Sequence, residues 1–97
     1  MKIIAIAHEQ EDIAPERFMP YLKAESLRVW ELMQADILRE IYFRQDSHSA
    51  VLILECASAD EASNVLNTLP LAKSGIITFE LIPLTPYDGL SILFEDI

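Results

Sequence analysis

The chain has 97 residues, 52% of them hydrophobic, with 16 acidic and 7 basic side chains and a net charge of −9. This length and composition indicate one domain, spanning residues 1–97. The acidic balance excludes a nucleic-acid binder, whose phosphate contacts need a basic footprint. No apolar run approaches the roughly 20 residues of a spanning helix, which argues against a place in a bilayer.

So much apolar surface on so small a chain must be covered, and oligomerisation is the natural cover. The single cysteine, Cys56, excludes an intrachain disulfide and fits a reducing compartment. The first residues carry one lysine and a short apolar run that turns polar at His8. They read as a strand of a cytoplasmic protein rather than as a signal peptide.

In chain order, Lys2 to His8 is isoleucine-rich and has strand character. Glu9, Glu11 and Asp12 form a short acidic loop. Pro15 and Pro20 bracket a helix start, with a preliminary turn at Pro15 and the regular helix beginning near Met19. That helix ends around Ala35–Asp36. Ile37 to Arg44 and Ala50 to Cys56 read as two strands joined by the polar loop Gln45 to Ser49, an antiparallel hairpin. Ser58 followed by Glu61 has capping-box spacing and opens a second helix with Ala62, Val65, Leu66 and Leu69 on one face. Pro70 is expected to terminate it. Ser74-Gly75 is a turn, Ile76 to Ile82 a fourth strand, and Tyr87 to Ile97 an apolar C-terminal arm.

The order βαββαβ is the ferredoxin-like α+β arrangement, with two helices on one face of an antiparallel sheet. Such a sheet usually leaves one face wet and alternates apolar with polar residues. Here Ala50-Val-Leu-Ile-Leu54 is apolar on both faces, as are the strands around Ile3–Ile6 and Ile76–Ile82. Both faces therefore need cover, and a second subunit packing sheet against sheet supplies it. A homodimer or larger closed oligomer follows, with the C-terminal segment as an arm across the interface.

One residue breaks the pattern of the first helix. Phe18, Leu22, Val29, Leu32 and Met33 form an apolar stripe, and Glu25 falls roughly 30° from its centre at about 100° per residue. A carboxylate among core positions needs a partner, a polar cavity or a chemical task.

Three stretches carry a resemblance to the muconolactone isomerase-like group of the dimeric α+β barrel superfamily. They are Lys23-Ala-Glu25, the strand Leu38-Arg39 through Tyr42-Phe43-Arg44, and Leu69-Pro70-Leu71 followed by a strand ending in Ile82-Pro83-Leu84-Thr85-Pro86-Tyr87. The resemblance spans roughly residues 20 to 87. The family's histidine-proline ending is replaced here by Thr85-Pro86-Tyr87. The resemblance implies a barrel that uses no cofactor and binds a small organic molecule, often an anion, between helix and sheet. It further implies that Glu25 matches the acid that moves a proton across a lactone, and that Arg39 matches the strand cation.

Each candidate has a structural alternative. Burial would raise the Glu25 pKa toward neutrality, as a proton shuttle requires, whereas a salt bridge to Arg39 or Arg44 would lower it. Arg39 shares an expected strand face with Ile37, Ile41 and Phe43, so it either clamps a substrate carboxylate or pairs with Glu25. Tyr42 and Arg44 lie on the opposite face with Glu40, where they line a pocket or bond across subunits. His8, at the end of the first strand, is either a general base or a satisfied strand-end histidine. His48 reads as a solvent-facing loop residue. No metal-ligand spacing is present. Proton transfer or isomerisation on a small organic ligand is the leading function. A cofactor-independent monooxygenase of aromatic substrates and a non-catalytic ligand-binding or assembly protein are the alternatives.

Overall fold

The computed structural model describes residues 1–96. Its elements, in order, are β1 (Lys2–Glu9), two 3-10 turns (Pro15–Arg17 and Met19–Tyr21), α1 (Leu22–Gln34), β2 (Leu38–Phe43), β3 (Ala50–Glu55), α2 (Ala59–Leu66), α3 (Pro70–Lys73), β4 (Ile77–Pro83) and a 3-10 segment (Gly89–Phe94). The four strands form one antiparallel sheet in the order β2-β3-β1-β4. This is the ferredoxin-like α+β arrangement expected from the sequence.

Local chemistry explains the boundaries. Pro15 is the first residue and Pro20 the second of the two 3-10 turns, first-turn positions where a missing N–H costs nothing. Just past the end of α1 and its C-cap Ala35 stands Asp36, whose φ of 61° is left-handed. The Asp36 N–H donates to the Met33 carbonyl and the Ile37 N–H to the Leu32 carbonyl, a Schellman closure. Leu32 and Ile37 both pack in the core, the apolar contact that accompanies such a closure. At α2, Ser58 Oγ accepts the Glu61 N–H at 3.1 Å and Glu61 Oε2 accepts the Ala57 N–H at 2.6 Å. Both arms of the expected capping box form, although the glutamate reaches one residue further back than in the ideal motif.

Pro70 does the opposite of what its position suggests. α2 closes at Leu66, and Pro70 starts the separate one-turn helix α3 with Leu69 as its N-cap. Proline is as well suited to the first position of a helix as to the residues after one.

The core lies between the helices and one face of the sheet. Ile3, Ala5, Leu52, Leu54 and Leu38 from the strands meet Leu32, Ala62, Leu66 and Leu69 from the helices. A second cluster joins Ala7, Leu71, Ile76 and Ile77, with Ile13, Phe18 and Tyr21 packed against it. The stripe on α1 is only partly covered. Leu32 is buried, Phe18 and Val29 are half-buried, and Leu22 and Met33 remain exposed.

The other sheet face bears no helix. Ile4, Ile6, Val51, Ile53 and Ile82 occupy it by register. The expected arm also stands clear of the sheet: Tyr87, Leu93 and Phe94 are 78%, 75% and 88% exposed. Its last residue, Ile97, lies outside the described residues.

Candidate functional site

Between α1 and the helix-covered face of the sheet is a cavity of about 640 Å³. Ile13, Pro15, Phe18, Leu22, Glu25, Ser26 and Val29 line it from the α1 side, and Ile41, Phe43, Ser47, His48 and Ala50 from the β2–β3 hairpin. Leu71 of α3, with Glu9 and Ile77 at the end of the sheet, completes it. The walls are mainly apolar with a few polar groups, and the size suits a small organic ligand. A smaller recess of about 250 Å³ between α2 and β4 has no titratable side chain in its lining.

Glu25 is the polar group on the inner wall. Its position, one turn after Leu22 and one before Val29, aims it into the cavity that those side chains also line. Glu25 Oε1 accepts the backbone N–H of Leu71 at 3.0 Å. The Leu71 N–H is free for this because it belongs to the first turn of α3, where backbone donors have no intrahelical acceptor. Glu25 Oε2 has no hydrogen-bond partner among the described residues, yet no side-chain oxygen is both sealed from solvent and unpaired. Oε2 is therefore reached by solvent, on a residue that lines the cavity. Burial pushes the Glu25 pKa up, and the Leu71 N–H pulls it partly back.

The arginine alternative fails on geometry. A β-bulge at Arg39 and Glu40 sets two residues of β2 against one of β3, Ile53. It keeps Leu38 and Ile41 both on the core face, although three residues apart, and turns Arg39 outward. The exposed Arg39 donates from Nε to the Asp36 carbonyl at 2.6 Å. Arg44 is held by Asp46 in the hairpin loop, its Nη2 2.7 Å from Oδ2. Neither guanidinium meets Glu25, and neither lines the cavity. The expected sharing of one face by Arg39, Ile41 and Phe43 is thus corrected by the bulge.

Tyr42 and His8 also lie away from the cavity, on the bare sheet face. Tyr42 donates its hydroxyl to Glu40 at 2.6 Å, and His8 Nε2 lies 3.2 Å from Glu80 Oε1. Of the expected site residues, the structure places only Glu25 in the cavity. It adds two that the sequence reading set aside as solvated, His48 and Glu9. His48 is exposed in the hairpin loop, but its ring stacks on Phe43 with centroids 4.0 Å apart. Its left-handed φ of 53° turns it back toward the strand. Glu9 pairs with Ile77, which puts it on the cavity face of β1. Strand alternation from the buried Ile3, Ala5 and Ala7 is the signal that finds Glu9. Among the described residues no cluster of histidine, cysteine or carboxylate groups is arranged to hold a metal.

A crystal structure of muconolactone isomerase overlays with a TM-score of 0.73 at 14% identity, covering 91% of this chain and 92% of that one. The chain has the muconolactone isomerase fold. A second structure, 5-chloro-2-hydroxyhydroquinone dehydrochlorinase from Burkholderia phenoliruptrix AC1100 in complex with 2,5-dihydroxybenzoquinone, overlays with a TM-score of 0.69 at 13% identity. It covers 92% of this chain and 98% of that one. No family model and no curated protein matches the sequence. The similarity to muconolactone isomerase is one of fold, and at this identity the site must be argued from the residues present.

Proposed function

We propose that this protein binds a small organic molecule in the cavity between α1 and the sheet, and that Glu25 moves a proton on it without a cofactor. The observation that carries this reading is the state of the Glu25 carboxyl. It is half-buried on a cavity-lining residue, tied by one oxygen to a backbone N–H, with the other unpaired and reached by solvent. A base that must take a proton from one carbon and return it to a neighbour needs a raised pKa and a free oxygen within reach of the ligand. An arginine-paired carboxylate would have neither. The fold shared with muconolactone isomerase supports an intramolecular isomerisation, and unsaturated lactones are the first compounds to try.

The proposal includes a homodimer of single-domain subunits. The bare sheet face presents Ile4, Ile6, Val51 and Ile53 with no helix over them, and the apolar arm finds no cover on its own subunit. A second copy packed sheet against sheet covers the one, and arms reaching across cover the other. Among the described residues no helix is long and apolar enough to cross a membrane. Cys56 is a free, buried thiol whose pKa burial raises, an unreactive state in keeping with a reducing, cytoplasmic setting.

The test is solvent exchange. An unsaturated five-membered lactone incubated with the protein in deuterated buffer should exchange a carbon-bound proton, and Glu25→Gln should abolish the exchange while the protein stays folded. Undiminished exchange in Glu25→Gln would remove Glu25 from the mechanism.

A further inference from the structure

The charges around the cavity are one-sided. Its lining contains two carboxylates, Glu9 and Glu25, and among the described residues no lysine or arginine. Of the cations near it in sequence, Arg28 bonds Thr68 at 2.9 Å, Arg39 the Asp36 carbonyl and Arg44 the Asp46 carboxylate, while Arg17 beside Phe18 and Lys23 beside Leu22 are exposed and lie outside the lining. The Leu71 N–H, a donor suited to a bound anion, already bonds Glu25 Oε1. His48 is the one lining side chain able to carry positive charge, and it sits at the exposed hairpin with its ring stacked on Phe43. The chain as a whole carries −9, which adds a repulsive field for any approaching anion.

From this arrangement we infer that the cavity takes an uncharged or cationic ring compound and turns away carboxylates. This inference rests on the reading of the cavity as a ligand site and assigns its ligand class. An anion entering it would lose hydration, meet no lysine or arginine, and lie near two acidic groups, with only the Ser26 and Ser47 hydroxyls and the His48 ring at the exposed hairpin as donors, a combination that burial makes unfavourable. A neutral ring with a hydroxyl group meets better conditions. Phe18 and Phe43 supply apolar aromatic walls, and Glu25 Oε2 is a free acceptor for the hydroxyl hydrogen. An ammonium group would find the same acceptor with opposite charge.

Three probes of one skeleton separate the possibilities: benzyl alcohol, benzylamine and benzoate. Each is titrated into the full-length protein at pH 7.5, with affinity read from amide shifts in two-dimensional NMR, including those of Leu71 and His48. The alcohol and the amine should bind in the cavity, and benzoate roughly tenfold or more weaker, a lower bound that lies between the bulk-water and the near-surface strength of one like-charge contact. In Glu9→Gln/Glu25→Gln the gap should close. If that pair does not fold, Glu25→Gln alone, which keeps an acceptor for the Leu71 N–H, should narrow it. Benzoate binding as tightly as benzyl alcohol would overturn the ligand class and leave the cavity reading intact. A gap unchanged in the folded variant would also overturn it. No shift at Leu71 or His48 with any probe would remove the ligand site itself, and the inference with it.

Discussion

Glu25→Ala and Glu25→Gln should separate in stability, because the carboxyl has two opposed effects on the fold. Alanine removes the acceptor of the Leu71 N–H at the start of α3. An unpaired, partly buried donor costs about 1–3 kcal/mol, and water entering the open cavity keeps this case near the lower end. Alanine also removes a half-buried carboxylate whose charge burial disfavours, which returns part of that loss. The net expectation for Glu25→Ala is a destabilisation of about 1 kcal/mol, or roughly 4–8 °C in melting temperature for a domain of this size. Glutamine keeps an oxygen for Leu71 and carries no charge, so Glu25→Gln should lie within about 0.5 kcal/mol of the wild type at neutral pH.

The pH dependence has a definite sign. The folded-state pKa of Glu25 is raised, so its contribution is fully present below the ordinary glutamate range and is lost as pH rises through the raised value. Wild type should therefore lose stability relative to Glu25→Gln across that window. Urea unfolding followed by circular dichroism at a series of pH values reads both effects. Two results would refute the reasoning: Gln as damaging as Ala, or wild type gaining on Gln as pH rises. Either would mean that the fold depends on the charge of Glu25, as in an ion pair.

Three further outcomes are expected. Arg39→Ala should leave benzyl alcohol affinity unchanged and alter stability by less than about 0.5 kcal/mol, since its side chain is exposed and bonds only a nearby carbonyl; a loss of affinity in the NMR titration would return it to the site. Ser58→Ala should cost about 1 kcal/mol in urea unfolding by removing the acceptor for the Glu61 N–H, and an unchanged midpoint would deny the cap a role. Light scattering should give the mass of a dimer or larger closed assembly, and deletion of residues 87–97 should weaken that assembly. A monomer at micromolar concentration would leave the bare face of Ile4, Ile6, Val51 and Ile53 unexplained.

The fold was legible because its signals are local. Isoleucine-rich strands, the Ser58–Glu61 cap and the proline pair before α1 each mark an element within a few residues. Glu25 was legible as an anomaly for the same reason, since helical periodicity alone places it in the stripe. Its partner was not. A carboxylate bonded to the backbone N–H of Leu71, 46 positions away, leaves no spacing to read. The clue was Pro70, which can end one helix or start another, and here it starts α3. Arg39 was misplaced because strand alternation assumes an unbroken register. Leu38 and Ile41, both apolar and three apart, already conflict with strict alternation and so hinted at the bulge. His48 reaches the cavity through a left-handed backbone and a stack on Phe43, both decided by how the hairpin closes rather than by residue type.

The most direct test of the account is the titration of the Glu25 side-chain carboxyl carbon by NMR. A cavity-facing carboxyl should titrate clearly above the ordinary glutamate value of about 4.3, and its signal should move when benzyl alcohol is added. A midpoint at or below that value, unmoved by the ligand, would make Glu25 a structural charge and contradict the account.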